Sequence, residues 1–89
     1  MRSIYKFSLM AGENKITMPA MAKILHVGNQ HDRIQLWAEV EVDTSMRPAE
    51  RTFYVFATGE ELPNIKLQFI GTVLLAGGVY VVHVYEKVK

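Results

Sequence analysis

The clearest pattern along the chain lies between Arg33 and Val42. Here Ile34, Leu36, Ala38, Val40 and Val42 alternate with Arg33, Gln35, Trp37, Glu39 and Glu41. Side chains of an extended strand point to opposite faces with period two, so the run predicts a strand with one buried and one solvated face. A helix would scatter the same residues around its circumference. Ser3–Met10 alternates in the same way, with Tyr5, Phe7 and Leu9 on one face and Ile4, Lys6 and Ser8 on the other. Shorter strands are expected at Lys15–Met18, Ile24–Gly28 and Thr52–Thr58. Pro19 stops the first of these, because proline cannot donate to a ladder. Ala20–Lys23 is compatible with one helical turn.

The last third of the chain reads differently. Ile65–Leu75 and Val79–Tyr85 are nearly continuous runs of aliphatic, β-branched and aromatic residues flanking Gly77-Gly78. A Gly-Gly pair supplies the positive φ angles that a tight hairpin turn requires. The resulting hairpin is apolar on both faces and is expected to be buried on both. Its second strand is expected to be central in a sheet or paired across a dimer, because a free apolar edge invites aggregation. Gly71, within the first run, suggests a bulge or the close approach of another backbone. Turns are expected at Ala11–Asn14 and Asn29–Asp32, a long polar loop at Asp43–Glu50, and a further connection at Gly59–Asn64. Together these elements predict one all-β domain over residues 1–89, a small antiparallel sandwich or partly closed barrel of about six to seven strands, ending in a hairpin that turns at Gly77-Gly78.

Composition narrows the function. A chain of 89 residues buries roughly 60–65% of its unfolded surface, which leaves little margin, so an oligomer that hides more apolar surface is a natural expectation. There are no cysteines, which excludes disulfides, thiol catalysis and thiolate metal sites. The net charge is +1 with both signs interspersed, so the basic stripe expected of a nucleic-acid binder is absent. Neither a signal-peptide pattern nor an apolar run of ~18 residues is present, and a cytoplasmic protein with no membrane partner is expected.

No catalytic constellation stands out. Ser3, Ser8 and Ser45 lie outside any nucleophile elbow. His26, His31 and His83 lack metal-ligand spacing, and their reading is structural. The carboxylate pairs Glu39/Glu41 and Glu60-Glu61 could do acid–base work if one member were desolvated, but they fall on positions expected to be wet. Gly71 and Gly77-Gly78 match no phosphate-binding fingerprint. The expectation is a protein that is not an enzyme and needs no cofactor or metal. For binding, Trp37 is the leading candidate, because it falls on the polar face of its strand and tryptophan is enriched at hot spots. Arg33 shares that face two pleats away. The competing expectation is that a loop or the N-terminal strand covers Trp37. Arg47 and Arg51, at the long loop, could hold a phosphate or carboxylate bidentately, or simply be solvated. His83, on the last strand, is the remaining candidate.

Several segments carry a family likeness: Ile4-Tyr5-Lys6-Phe7, Ile24-Leu25-His26-Val27, Leu36-Trp37-Ala38, Arg51-Thr52-Phe53, Ala57-Thr58-Gly59-Glu60-Glu61-Leu62-Pro63, Phe69-Ile70-Gly71-Thr72-Val73, Gly77-Gly78 and Val82-His83-Val84-Tyr85-Glu86. Over nearly its whole length the chain resembles a family of small bacteriophage and prophage proteins classed as a domain of unknown function. The stretch Ile65-Lys66-Leu67-Gln68 is less polar than that likeness leads one to expect. The resemblance implies a phage origin and a compact β fold, and it carries over no catalytic residue. The function expected is non-enzymatic binding. One form is a host-directed inhibitor or anti-defence protein that works by steric blockade in the cytoplasm of an infected bacterium, docking through the Trp37 face. A second is a small-ligand-binding oligomer, with Arg33, Arg47, Arg51 and Trp37 near an interprotomer cleft, that sequesters a nucleotide signal. A third is a minor virion or assembly protein. A homodimer formed by strand pairing is compatible with each.

Overall fold

The alternating runs form strands because each has a continuous apolar side to bury. In the computed structural model, which describes residues 1–42 and 47–88, seven strands follow one another: β1 (Arg2–Leu9), β2 (Gly12–Pro19), β3 (Lys23–Gln30), β4 (Arg33–Glu41), β5 (Pro48–Ala57), β6 (Leu67–Leu75) and β7 (Tyr80–Lys87). They make two antiparallel sheets, β1-β4-β3 and β2-β5-β7-β6, packed face to face and not closed into a barrel. Of the two architectures expected, the sandwich is the one adopted. No helix among the described residues is long and apolar enough to cross a membrane.

The core is the layer between the sheets. β4 contributes Ile34, Leu36, Ala38 and Val40, the apolar side expected of it, while Val42 lies beyond the strand and is exposed. Opposite them sit Phe53 and Val55 of β5, Val82 and Val84 of β7, and Val73 and Leu75 of β6, joined by Leu9, Met18 and Val27. At ~25 cal/mol per Å² of apolar surface, each fully buried valine, leucine or phenylalanine contributes about 1.5–3 kcal/mol.

At its first crossing between the sheets, from β1 to β2, the chain spends only Met10 and Ala11. Asn14 holds this corner. Its Oδ1 accepts from the Met10 N–H at 2.8 Å, and its Nδ2 donates to the carbonyls of Met10 at 2.9 Å and Gly12 at 3.1 Å. Gly12 supplies a φ of 88°. The expected turn residues therefore do bend the chain, but from inside β2. Ala20–Ala22 reverses direction without a helical turn, with Met21 at φ 66°. β5 starts at Pro48, opposite Pro19, so Arg51 belongs to a strand and not to a loop. The expected Asp43–Glu50 loop falls in part (residues 43–46) outside the described residues.

The closing hairpin turns through Ala76, Gly77, Gly78 and Val79, with φ of 50°, 66° and 91° at the first three. This turn is tied to the β3–β4 turn, since Asp32 Oδ1 accepts from the Ala76 N–H at 2.8 Å and Asn29 Nδ2 donates to the Leu74 carbonyl at 2.9 Å. Gly71 lies on the same seam. The β6–β7 register shifts between Phe69 and Gly71, and a Cβ on Gly71 would stand 2.7 Å from Val27 Cγ2 of β3. The glycine thus marks the expected bulge, while what approaches it closely is a side chain of β3 and not another backbone. β7 is central in its sheet, hydrogen-bonded to β5 and β6, so it cannot also pair across a dimer.

Double burial of the hairpin is the expectation that the fold overturns. A two-layer sandwich covers only one face of each sheet. The inward side chains Val73, Leu75, Val82 and Val84 are buried, but Phe69 remains 54% exposed and Leu74 56%.

Candidate binding surface

The two outer faces carry most of the candidate residues, and they differ in chemistry. On the three-stranded sheet, Trp37 sits in the central strand, level with Lys6 on one side and His26 on the other. Its ring stacks on His26, with centroids 6.0 Å apart and planes 29° from parallel. Gly28, also on β3, makes room for this pair: a Cβ there would stand 2.9 Å from His26 Nε2 and 3.6 Å from Trp37 Cζ3. Lys6 Nζ reaches across β4 to donate to Gln30 Oε1 at 2.7 Å. Arg2 Nη1 meets Glu39 at 3.3 Å, and Ser8 Oγ donates to the buried Gln35 at 2.9 Å. Trp37 is therefore half-buried among its own neighbours, while Arg33, on the same face, is exposed.

On the four-stranded sheet an aromatic row crosses the outward side of β5, β7 and β6. Tyr54 and Phe56 of β5 stack with centroids 5.8 Å apart, and Tyr85 of β7 meets Phe56 at 5.8 Å and Phe69 of β6 at 5.3 Å, both edge-on. Offset and edge-to-face geometries of this kind are favoured by the ring quadrupole. The segment after β5 folds back over part of the face. Glu60 anchors it by accepting from the Ala57 N–H at 3.1 Å. Leu62 and Glu60 then line a cleft of about 240 Å³ with Phe56, His83 and Tyr85, which leaves Phe56 only 6% exposed. His83 sits at the centre of the face with both ring nitrogens engaged, Nε2 with Thr58 Oγ1 at 2.8 Å and Nδ1 with Thr72 Oγ1 at 3.0 Å. Threonine hydroxyls can donate or accept, so this bracket suits either tautomer. Tyr54 Oη donates to Glu13 at 2.9 Å, and this hydrogen bond holds the phenol pKa above its ordinary value.

Arg51 lies on neither outer face. It points into the end of the sandwich, where Nε and Nη2 donate to the two carboxylate oxygens of Glu86 at 2.6 and 2.8 Å. Nη1 donates to the Ala22 carbonyl at 2.5 Å, and the guanidinium lies 5.8 Å from the centre of the Phe53 ring. The hydrogen bond to Glu86 raises the arginine's pKa against the opposing effect of burial. A bidentate pair of this kind fixes both partners, so Arg51 is structural and has no fork left for a ligand. Beside it, β3 and β6 flank a cleft of about 530 Å³ whose lining includes Lys23, His26, Phe69 and Thr72.

The five candidate residues therefore do not converge. Trp37 and Arg33 share the first outer face, His83 lies on the second, Arg51 is turned inward, and Arg47 is exposed ahead of β5, where its carbonyl accepts from the Ala20 N–H. Within one chain Arg33 and Trp37 lie on a different surface from Arg51, and the cleft expected near Arg33, Arg47, Arg51 and Trp37 is one between protomers. The residues that sequence reasoning missed are Glu86, His26 and the aromatic row of Tyr54, Phe56, Phe69 and Tyr85. Period-two aromatics on β5 signal the row, but continuous apolar runs point to buried positions and mask it.

The fold defines a two-sheet antiparallel sandwich with one polar and one aromatic outer face. A family model described as Domain of unknown function (DUF7352) matches residues 1–89, and the chain belongs to that family. No curated protein and no solved structure gives a significant match.

Proposed function

We propose that this chain is a small phage-encoded protein that acts by binding and not by catalysis, occupying a surface of a host protein in the cytoplasm of the infected cell. The observation that carries the reading is the aromatic outer face of the four-stranded sheet. Contiguous exposed apolar surface on a small domain marks an interaction site more often than not, and aromatic anchors dominate binding energy. Steric blockade needs such a face on a rigid scaffold and no reactive group. The docking residues are then Phe69, Leu74 and Tyr85, with His83 among them, in place of Trp37 and Arg33. The phage origin rests on the strand and turn motifs described above. Affinity capture from a bacterial host lysate tests the reading. Phe69→Glu is expected to lose the captured partner while Trp37→Ala, checked to be folded, keeps it. Retention at full strength by Phe69→Glu would sink the assignment.

A second reading is sequestration of a nucleotide in the cleft between β3 and β6, favoured by Lys23, His26 and the exposed Phe69 ring at its walls. It ranks second because Arg51, the strongest anion-binding group there, is already held by Glu86. A large thermal stabilisation by one nucleotide, and none by others, would reverse that order.

A further inference from the structure

Of the four edge strands, β3 and β6 are joined along the seam described above, and each carries a register shift. β2 ends in Pro19 and turns Glu13, Lys15 and Thr17 outward. β1 is different: it has eight residues in unbroken register with β4, no proline, and two apolar side chains near the edge, Ile4 at 62% and Tyr5 at 38% exposure.

The direction of its free backbone groups follows from one bond. The Val42 N–H donates to the Met1 carbonyl at 2.8 Å, and antiparallel pairs alternate between hydrogen-bonded and non-hydrogen-bonded. Ser3, Tyr5, Phe7 and Leu9 therefore exchange bonds with β4. The N–H and C=O groups of Arg2, Ile4, Lys6 and Ser8 point to the open edge, and among the described residues none of them has a partner. Nor do the charged side chains obstruct the edge, since Lys6 and Arg2 turn back over their own sheet to Gln30 and Glu39.

We propose that β1 pairs antiparallel with β1 of a second copy, with Tyr5 opposite Tyr5 of the second copy, fusing two three-stranded sheets into one of six strands. The register is dictated by the free groups and by charge. Bonds across the new edge must join Arg2, Ile4, Lys6 and Ser8 of each copy. Setting Ile4 opposite itself places Arg2 against Lys6, and setting Lys6 opposite itself juxtaposes two ammonium groups. Like charges directly opposite are destabilising. Setting Ile4 opposite Lys6 instead pairs Arg2 with Ser8, avoids every like-charge pair and keeps a long overlap, Arg2–Ser8. The Lys6 methylenes then cover Ile4. On the inner side, burial of β1 falls from Leu9 at 5% exposure to Tyr5 at 38%. The register sets the bare end of each strand beside the covered end of the other.

The chain has no cysteine, so Tyr5→Cys introduces a single thiol. In this register it faces its counterpart in a non-hydrogen-bonded pair, with Cα atoms ~4.5 Å apart, inside the range that a disulfide spans. Mild oxidation is expected to give a covalent dimer, whereas Lys15→Cys on β2 gives none. By light scattering the wild-type protein is expected at twice its 10.1 kDa chain mass. Ile4→Lys, which puts a charge opposite Lys6 at both symmetric positions, is expected to weaken the dimer by about tenfold. Ile4→Glu is expected to keep the dimer and make it salt-sensitive. Both substitutions are at an exposed side chain, and far-UV circular dichroism verifies their fold. A monomer up to millimolar concentration overturns the proposal. So does a dimer that Ile4→Lys leaves intact, or crosslinking of the Lys15→Cys variant but not of the Tyr5→Cys variant.

Discussion

The two outer faces of this sandwich solve the same problem in opposite ways. Each covers a sheet whose inner side is apolar. On the three-stranded sheet, several outward side chains find partners within the chain: Arg2 with Glu39, Lys6 with Gln30, Ser8 with Gln35, and Trp37 with His26. On the four-stranded sheet, Tyr54, Phe56, Tyr85 and Phe69 touch mainly one another, and the row ends in open solvent at Phe69. A tryptophan on a polar face is therefore not free by virtue of its position, and a strand apolar on both sides is not covered on both by virtue of its composition.

Substitutions separate the two faces. The largest effect is expected in the layer that both faces share. Glu86→Ala leaves the partly buried Arg51 guanidinium without its carboxylate and is expected to cost about 2–3 kcal/mol in urea unfolding, less than a fully buried pair because both side chains keep some solvent contact. Joint replacement by Arg51→Met and Glu86→Leu is expected to recover most of that loss. The faces themselves come next. Trp37→Ala is expected to cost about 2 kcal/mol, since it removes a half-buried ring and its stacking partner's contact, while Phe69→Ala is expected to cost under ~1 kcal/mol because more than half of that ring is already in water. Equal losses for the two would erase the distinction between a structural and a free aromatic.

Two further substitutions probe the seam and the rim. Gly71→Ala drives a methyl group against Val27, where the packing is already close, and is expected to lower stability by about 1–2 kcal/mol, read as a shifted denaturation midpoint. Tyr54 is expected to titrate above the ordinary tyrosine range in an ultraviolet pH titration, because its hydroxyl donates to Glu13. The fold holds the protonated phenol, so the stability it lends is present below pH ~10 and is lost as pH rises through the folded-state value. Glu13→Gln should bring that titration back toward the ordinary range.

Local patterns made much of the fold legible. The alternation at Arg33–Val42 placed β4 and named its buried side. Gly71 signalled its own bulge, and Gly77-Gly78 the hairpin turn. Strand ends were less legible: β2 begins three residues earlier than the apolar pattern suggested, because Gly12 and Asn14 bend the chain without leaving the ladder. The candidate site was the least legible part. Arg51 read as a loop arginine because its partner, Glu86, is 35 residues away, beyond any local signal. Phe69 and Tyr85 read as core because hydrophobicity reports what a side chain prefers and not which layer will reach it.

Local patterning is enough to set the run of strands, the inward side of those that alternate, such as β4, and the glycine positions at Gly71 and Gly77-Gly78, all consequences of backbone geometry acting over a few residues. Tertiary structure decided everything that depends on how many layers cover a strand. It turned Arg51 into a half-buried strut, gave Trp37 a neighbour in His26, and left the aromatic side of the closing hairpin uncovered. Two sheets can hide only the faces between them, and which residues lie outside is settled by strand order, which no single stretch of the chain encodes.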